Sequence, residues 1–207
     1  LPKEQLAVGN TVDECTEYTR KSQTRIGILK MRHLVFDTET TSLVDNSARP
    51  LAKQPQIVEV FALVLGDDLQ EQETFHQYFD IGKPLPDITK KITGITDDML
   101  KGAPAFAAAY KKYQAVIESC DVVVAHNLSY DMAVTNFEFE RIGQTVKWPS
   151  RRVCTVESTE HIKGYRLNLG GLHMELFGEA FTGAHRAEND VRALARCYVE
   201  LVKRGEV

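Results

Sequence analysis

Four acids and one histidine in this chain carry residue types and spacings that could do chemistry. Asp37 and Glu39 follow the apolar run Leu34-Val35-Phe36. Such a run reads as a strand buried on both faces, and residues i and i+2 of a strand share a side. The two carboxylates therefore project together and repel each other unless something positive sits between them. Asp131 falls in the first turn of an expected helix, directly after the buried run Asp121-Val-Val-Val-Ala125. Asp190 stands three residues after Ala187 and four before Leu194, on the apolar side of its own helix. Acids facing a core need partners. Together these positions imply four carboxylates converging at the carboxyl edge of a sheet, where α/β proteins bind ligands. An all-oxygen set suits hard cations such as Mg²⁺ or Mn²⁺. Two such ions about 3.5–4 Å apart stabilise the attacking and leaving oxygens of an in-line phosphoryl displacement. His185, in the loop from Gly183-Ala184 into the last helix, adds an imidazole able to act as general base near neutral pH.

The elements that must position these groups can be read along the chain. After the first strand, Val44 to Pro55 is a polar loop broken by Asn46, Ser47, Pro50 and Pro55. Ile57–Leu65 is a second strand, Gly66-Asp67-Asp68 a turn, and Glu73–Phe79 a third strand, antiparallel to the second. Pro84 and Pro86 mark a loop, and Thr96-Asp97-Asp98 starts a helix. Pro104 opens another, whose stripe is Phe106, Ala109, Tyr110, Tyr113, Val116 and Ile117. A helix over 129–142 closes at Gly143. Val153-Cys154-Thr155 is a short fifth strand, followed by short helices over 156–162 and 170–177. The last helix covers 187–203, with Ala187, Val191, Leu194, Tyr198 and Leu201 facing inward. Strands first, then alternating helices and strands, specify an α/β layered domain around a mixed sheet.

The whole chain bounds the function. Its 207 residues suit one medium domain with an appendage: residues 1–30 as a polar extension and 31–207 as the folded domain. Thr11–Glu14 resembles a capping box, and Tyr18–Arg25 is basic and polar. A net charge of −4 is not that of a basic nucleic-acid-binding module, though a metal-neutralised acidic site is compatible with nucleic-acid chemistry. The longest apolar run, Ile57–Leu65, is interrupted by Glu59 and falls far short of the roughly 20 residues of a membrane span. Four scattered cysteines without a C-x-x-C fit a reducing, cytoplasmic setting. Lys147, Arg151, Arg152, Lys163 and Arg166 gather between Asp131 and His185, either as a phosphate track or as a solvated face.

Three segments, Phe36-Asp37-Thr-Glu39-Thr-Thr41, Ala125-His-Asn127-Leu-Ser-Tyr-Asp131 and His185-Arg-Ala-Glu-Asn-Asp190, resemble the three motifs of the DEDDh, or DnaQ-like, 3′–5′ exonucleases. Ile92-Thr-Gly-Ile-Thr-Asp-Asp-Met99 and Ala103-Pro-Ala-Phe106 resemble that family's linker before the second motif. The resemblance spans about 31–204. It implies an RNase H-like fold, an α/β five-stranded sheet in the order 3-2-1-4-5 with strand 2 antiparallel, flanked by helices. By position it makes Asp37, Glu39, Asp131 and Asp190 ligands of two divalent ions, Mg²⁺ or Mn²⁺, and His185 the base. The tyrosine-base branch of the family would place its tyrosine where Arg186 stands. Thr40, Thr41 and Leu43 are implied to line the 3′-terminal nucleotide, while Asn127 is expected to brace the loop before Asp131. Thr93, Leu128, Tyr130 and Glu188 depart from the commoner family residues. The implied partners are a nucleic acid with a free 3′ end, DNA ahead of RNA, and a DNA polymerase. An RNA-trimming enzyme and a non-catalytic scaffold are the competing readings, and the intact acids and His185 weigh against the second.

Overall fold

Five strands pair in the order β3-β2-β1-β4-β5, where β1 is His33–Thr40, β2 Ile57–Leu65, β3 Glu71–Tyr78, β4 Val122–Ala125 and β5 Arg151–Cys154. β2 runs antiparallel to both neighbours, and β4 and β5 run parallel to β1. This is the expected α/β RNase H-like arrangement. The computed structural model describes residues 30–45 and 50–207. The capping box at Thr11–Glu14, the basic stretch Tyr18–Arg25 and the breakers Asn46 and Ser47 lie outside the described residues. A 3₁₀ turn at Leu51–Lys53 and helices α1 (Asp87–Thr93), α2 (Asp97–Leu100), α3 (Phe106–Glu118), α4 (Leu128–Arg141), α5 (Thr155–Ser158), α6 (Glu160–Lys163), α7 (Leu169–Phe177) and α8 (Ala187–Arg204) complete the order among the described residues. Among the described residues no helix is long and apolar enough to cross a membrane.

Side-chain alternation along β1 sorts the core into two layers. Leu34 and Phe36 pack with Val60, Ala62 and Val123 against Phe106, Tyr113 and Ile117 of α3 and Val134 and Phe139 of α4. Val35 faces the other way, with Phe61, Leu63 and Val124, against Ala187, Val191, Leu194 and Tyr198 of α8. Burying a Leu, Val or Phe side chain contributes roughly 1.5–3 kcal/mol each, so both faces of the sheet are firmly covered. The period of two extends this sorting to the acids. Asp37 and Glu39 share the side of Val35 and so lie under α8, while Thr38 shares the α4 side.

Several boundaries differ from expectation. β3 begins two residues earlier. The region read as a loop at Pro84 and Pro86 continues into α1, whose N-cap is Pro86. No apolar stripe announces that helix because it is inverted: Ile88 and Ile92 are exposed, and Thr89 and Thr93 are buried. Thr96 caps α2 as expected, its side chain accepting from the Met99 amide, but the helix is a single turn. The helix expected over 156–162 divides into α5 and α6 at Thr159, which is buried and donates to Thr155 O at 2.6 Å.

Candidate active site and metal centre

β1 outruns its parallel neighbour. Pairing with β4 stops at Val35↔Val124, whereas pairing with β2 continues through Asp37↔Phe61 and Glu39↔Glu59. The acids therefore stand on a hydrogen-bonded strand yet beyond the edge of β4, where the sheet opens into a notch. The strand does not end at Phe36; it holds both acids in register, which is firmer than a loop. α8 crosses this notch, and the first turn of α8 delivers Asp190. Carboxylate oxygens of Asp37, Glu39 and Asp190 lie within 4.8 Å of one another.

Asp131 arrives from the opposite layer. It sits in the first turn of α4, almost fully buried, and one of its oxygens accepts from Thr38 N at 3.1 Å and Thr38 Oγ1 at 2.7 Å. The structure thus clusters three of the four expected ligands tightly. The fourth lies close enough to Asp37 for their charges to interact, and its Oδ1 is committed to Thr38, on the α4 side of β1.

Charge crowding is evident in the proton affinities. Burial, then the nearby Asp131, Glu39 and Asp190 charges, hold the Asp37 carboxyl well above the usual carboxylate range. Burial and the Asp190, Glu59 and Asp131 charges push Glu39 up to about 8, with Arg186 opposing. Burial raises Asp131 despite the two bonds from Thr38. Asp190 is raised by burial, tempered by the backbone N–H of His185. Acids arranged so that each resists ionisation fit a divalent cation, which removes that penalty, better than any monovalent or apolar occupant.

His185 is exposed and has φ +67°, a left-handed conformation unusual for a residue with a Cβ. Its amide donates to Asp190 Oδ2 at 2.8 Å. The loop is closed further by Asn189 Nδ2, which donates to Gly183 O at 2.9 Å. The imidazole is thus carried at the rim of the acid cluster, free of the core.

The residues expected at the nucleotide pocket divide. Leu43 is 81% exposed, so it anchors nothing in the loop and presents its side chain outward. Thr40 Oγ1 and Tyr130 OH lie beside each other, and Ser42 O is 2.9 and 3.0 Å from them. Thr41 is buried instead of lining a surface. Its amide donates to Gln56 O, its Oγ1 accepts from Gln56 N, and its carbonyl accepts from Thr89 Oγ1, which ties the loop to β2 and α1. The expected bracing by the Asn127 side chain is replaced by a backbone role. Asn127 is the N-cap of α4 with φ +82° and no side-chain cap bond; its Oδ1 accepts only a long contact from Ser129 Oγ at 3.4 Å. The brace is His126 instead. Its Nε2 donates to Leu167 O at 3.1 Å, and its Nδ1 accepts from Thr155 Oγ1 at 2.9 Å.

Two neighbours of the acid cluster were not among the expected site residues. Glu59 is fully buried in β2, directly opposite Glu39, and Arg186 reaches it from the end of the His185 loop. Glu59 left one signal, an acid inside a nine-residue apolar run. Of the basic residues between Asp131 and His185, Lys163 pairs with Glu175 and Arg166 lies near Glu157 and Glu160, while Arg151 and Arg152 are exposed on β5.

Comparison with known proteins places this geometry. A family model described as RNase_T exonuclease matches residues 34–198. The chain is 30% identical over 198 residues to a PolC-type DNA polymerase III of Listeria welshimeri, which covers 94% of this chain and 13% of the relative. It is 30% identical over 176 residues to the PolC-type DNA polymerase III of Bacillus subtilis, covering 83% of this chain and 11% of the relative. The chain therefore spans a small part of the length of these curated relatives. Its fold is similar to the crystal structure of the nuclease domain of 3′hExo, a DEDDh family member bound to rAMP. That similarity has a TM-score of 0.67 at 20% identity, covering 86% of this chain and 94% of that one.

Proposed function

The chain belongs to the RNase_T exonuclease family, as a DEDDh 3′–5′ exonuclease of the RNase H-like superfamily, and we propose that it removes nucleoside 5′-monophosphates from the 3′ end of DNA. The observation that carries the reading is the convergence of Asp37, Glu39 and Asp190 within 4.8 Å at the notch beside β4, with Asp131 close enough to Asp37 for their charges to interact. Residues 31–207 form the exonuclease domain. Support for DNA, and for work alongside a DNA polymerase, comes from relatives named as PolC-type DNA polymerases.

The donor set fits two Mg²⁺ or Mn²⁺ ions held by Asp37, Glu39, Asp131 and Asp190; bound there, they supply charge stabilisation for the attacking and leaving oxygens of the phosphodiester. The chain's own groups do the rest. His185, on its exposed loop, takes the proton of the attacking water at a ring nitrogen. Thr38 fixes the orientation of Asp131 through two hydrogen bonds. Leu43 offers apolar surface to the terminal base, and Thr40 with Tyr130 and Ser42 shapes the floor beside it.

The test uses end-labelled DNA and RNA oligonucleotides with Mn²⁺ or Mg²⁺ and with EDTA. Mononucleotides should be released from the 3′ end only with metal, from DNA faster than RNA, and a 3′-phosphate should block the reaction while a 5′ block does not. Frayed or single-stranded ends should be preferred, because a paired terminal base must first be unstacked. Cleavage within a circular single strand would contradict an exonuclease, and faster release from RNA would reverse the substrate assignment.

A further inference from the structure

We propose that Arg186 is a positioning residue for the general base, clamping the loop that carries His185 onto β2 and β3 through Glu59 and Tyr78. The inference rests on the reading of His185 given above.

Glu59 sits in the middle of a strand whose nine residues are all buried, and it is itself fully buried. A carboxylate in that position must be paired. His76 Nε2 covers one oxygen at 2.8 Å, and Arg186 Nε faces the other at 3.6 Å. The same guanidinium donates through Nη2 to the hydroxyl of Tyr78. Register explains why these groups meet. Glu59 pairs with Tyr78 and Phe61 with His76 across β2 and β3, so Glu59, His76 and Tyr78 share the face that α8 covers.

Arg186 occupies the one position between the base and the helix. It is the N-cap residue of α8 with an extended backbone, and no side-chain cap bond competes for it. The residue before it, His185, has positive φ, a conformation held only where surroundings impose it. On one side the His185 amide is fixed to Asp190. On the other, the guanidinium hydrogen-bonds Tyr78 of β3 and faces the Glu59 carboxylate of β2 as an ion pair at 3.6 Å. These two attachments define where the exposed imidazole stands relative to Asp37 and Glu39. No atom of this clamp is an expected ligand or base; it acts through His185.

Steady-state kinetics on a single-stranded DNA oligonucleotide with Mn²⁺, using the full chain, tests the clamp. Arg186→Ala should lower kcat by roughly 10–10²-fold, the cost of a slightly misplaced catalytic group, and leave KM within about twofold. Arg186→Lys should recover only part of the loss, because an ammonium cannot engage Glu59 and Tyr78 as a fork. In a His185→Ala background, Arg186→Ala should add nothing. A full additive loss in that background overturns the proposal, since the guanidinium would then act on substrate or on the fold as a whole. A second readout does not depend on activity. Amide hydrogen exchange at residues 183–187 should accelerate in Arg186→Ala while Val191–Leu201 stays protected, and unchanged exchange at 183–187 equally overturns the clamp. An inactive parent, or a His185→Ala variant as active as the parent, would refute the functional reading instead, and the exchange result would still judge the clamp.

Discussion

His185 is joined to the Asp190 carboxylate through its backbone amide rather than its imidazole, and this separates two kinds of failure. Replacing His185 by Ala removes the imidazole but keeps the amide that donates to Asp190. kcat should fall by roughly 10²–10⁴, the range for a positioned general base, while the thermal stabilisation conferred by Mn²⁺ survives. Asp190→Asn behaves in the opposite sense. Asn retains an acceptor for the His185 amide but loses the charge that crowds Asp37 and Glu39. Activity should vanish, the EDTA-treated variant should melt at or above the parent at neutral pH, and Mn²⁺ should no longer raise its melting temperature. A destabilised variant indifferent to metal would mean that Asp190 is a structural acid, paired or capping, instead of a ligand.

At the scale of elements, the junction of β4 and α4 is held by a histidine that must stay neutral. Burial pushes His126 down to about 4, even though Leu167 O favours its proton. Its ordinary value is 6.5, so the folded state binds fewer protons than the unfolded one between those limits. The His126 contribution is therefore present above pH 6.5 and is lost as pH falls through about 4, a difference on the order of 3 kcal/mol. Denaturant titrations from pH 7 to pH 4 should show the parent losing stability relative to His126→Gln over this window; parallel curves would mean the imidazole titrates unhindered. His126 also shows what the sequence could and could not say. The strands and the final helix were legible because burial on both faces, or on one stripe, leaves a periodic record. α1 was not, since its buried residues are threonines whose hydroxyls are satisfied internally. Thr41 and Asn127 make other hydrogen bonds than the sequence suggested: a residue type shows that hydrogen bonds are available, not which partners a loop will bring. Glu59 and Arg186 were separate oddities until register put them together.

Over the whole molecule, the acid cluster sets how stability responds to pH and metal. Glu39, raised from 4.5 to about 8, leaves the folded metal-free protein with more bound protons than the unfolded chain between those values. Its contribution is fully present below pH 4.5 and is lost as pH rises through about 8. In EDTA the protein should accordingly lose stability from this group between pH 5 and pH 8, against the trend from His126 at the acid end. Mn²⁺ should reverse the loss, by about 2.7 kcal/mol at a hundred times its dissociation constant. Melting curves at pH 6 and pH 8, with metal and with EDTA, measure this directly; a metal effect no larger at pH 8 than at pH 6 would show that the cluster does not bind as a unit.

The path of the chain gives the site a temporal order. Asp37 and Glu39 are made first, Asp131 after them, and Asp190 last, in the helix that covers the Val35 face of β1. A ribosome-bound chain that has not yet reached α8 carries three of the acids and neither the fourth nor the histidine's anchor. On the reading proposed above, the metal site is complete only once that helix has settled on the sheet.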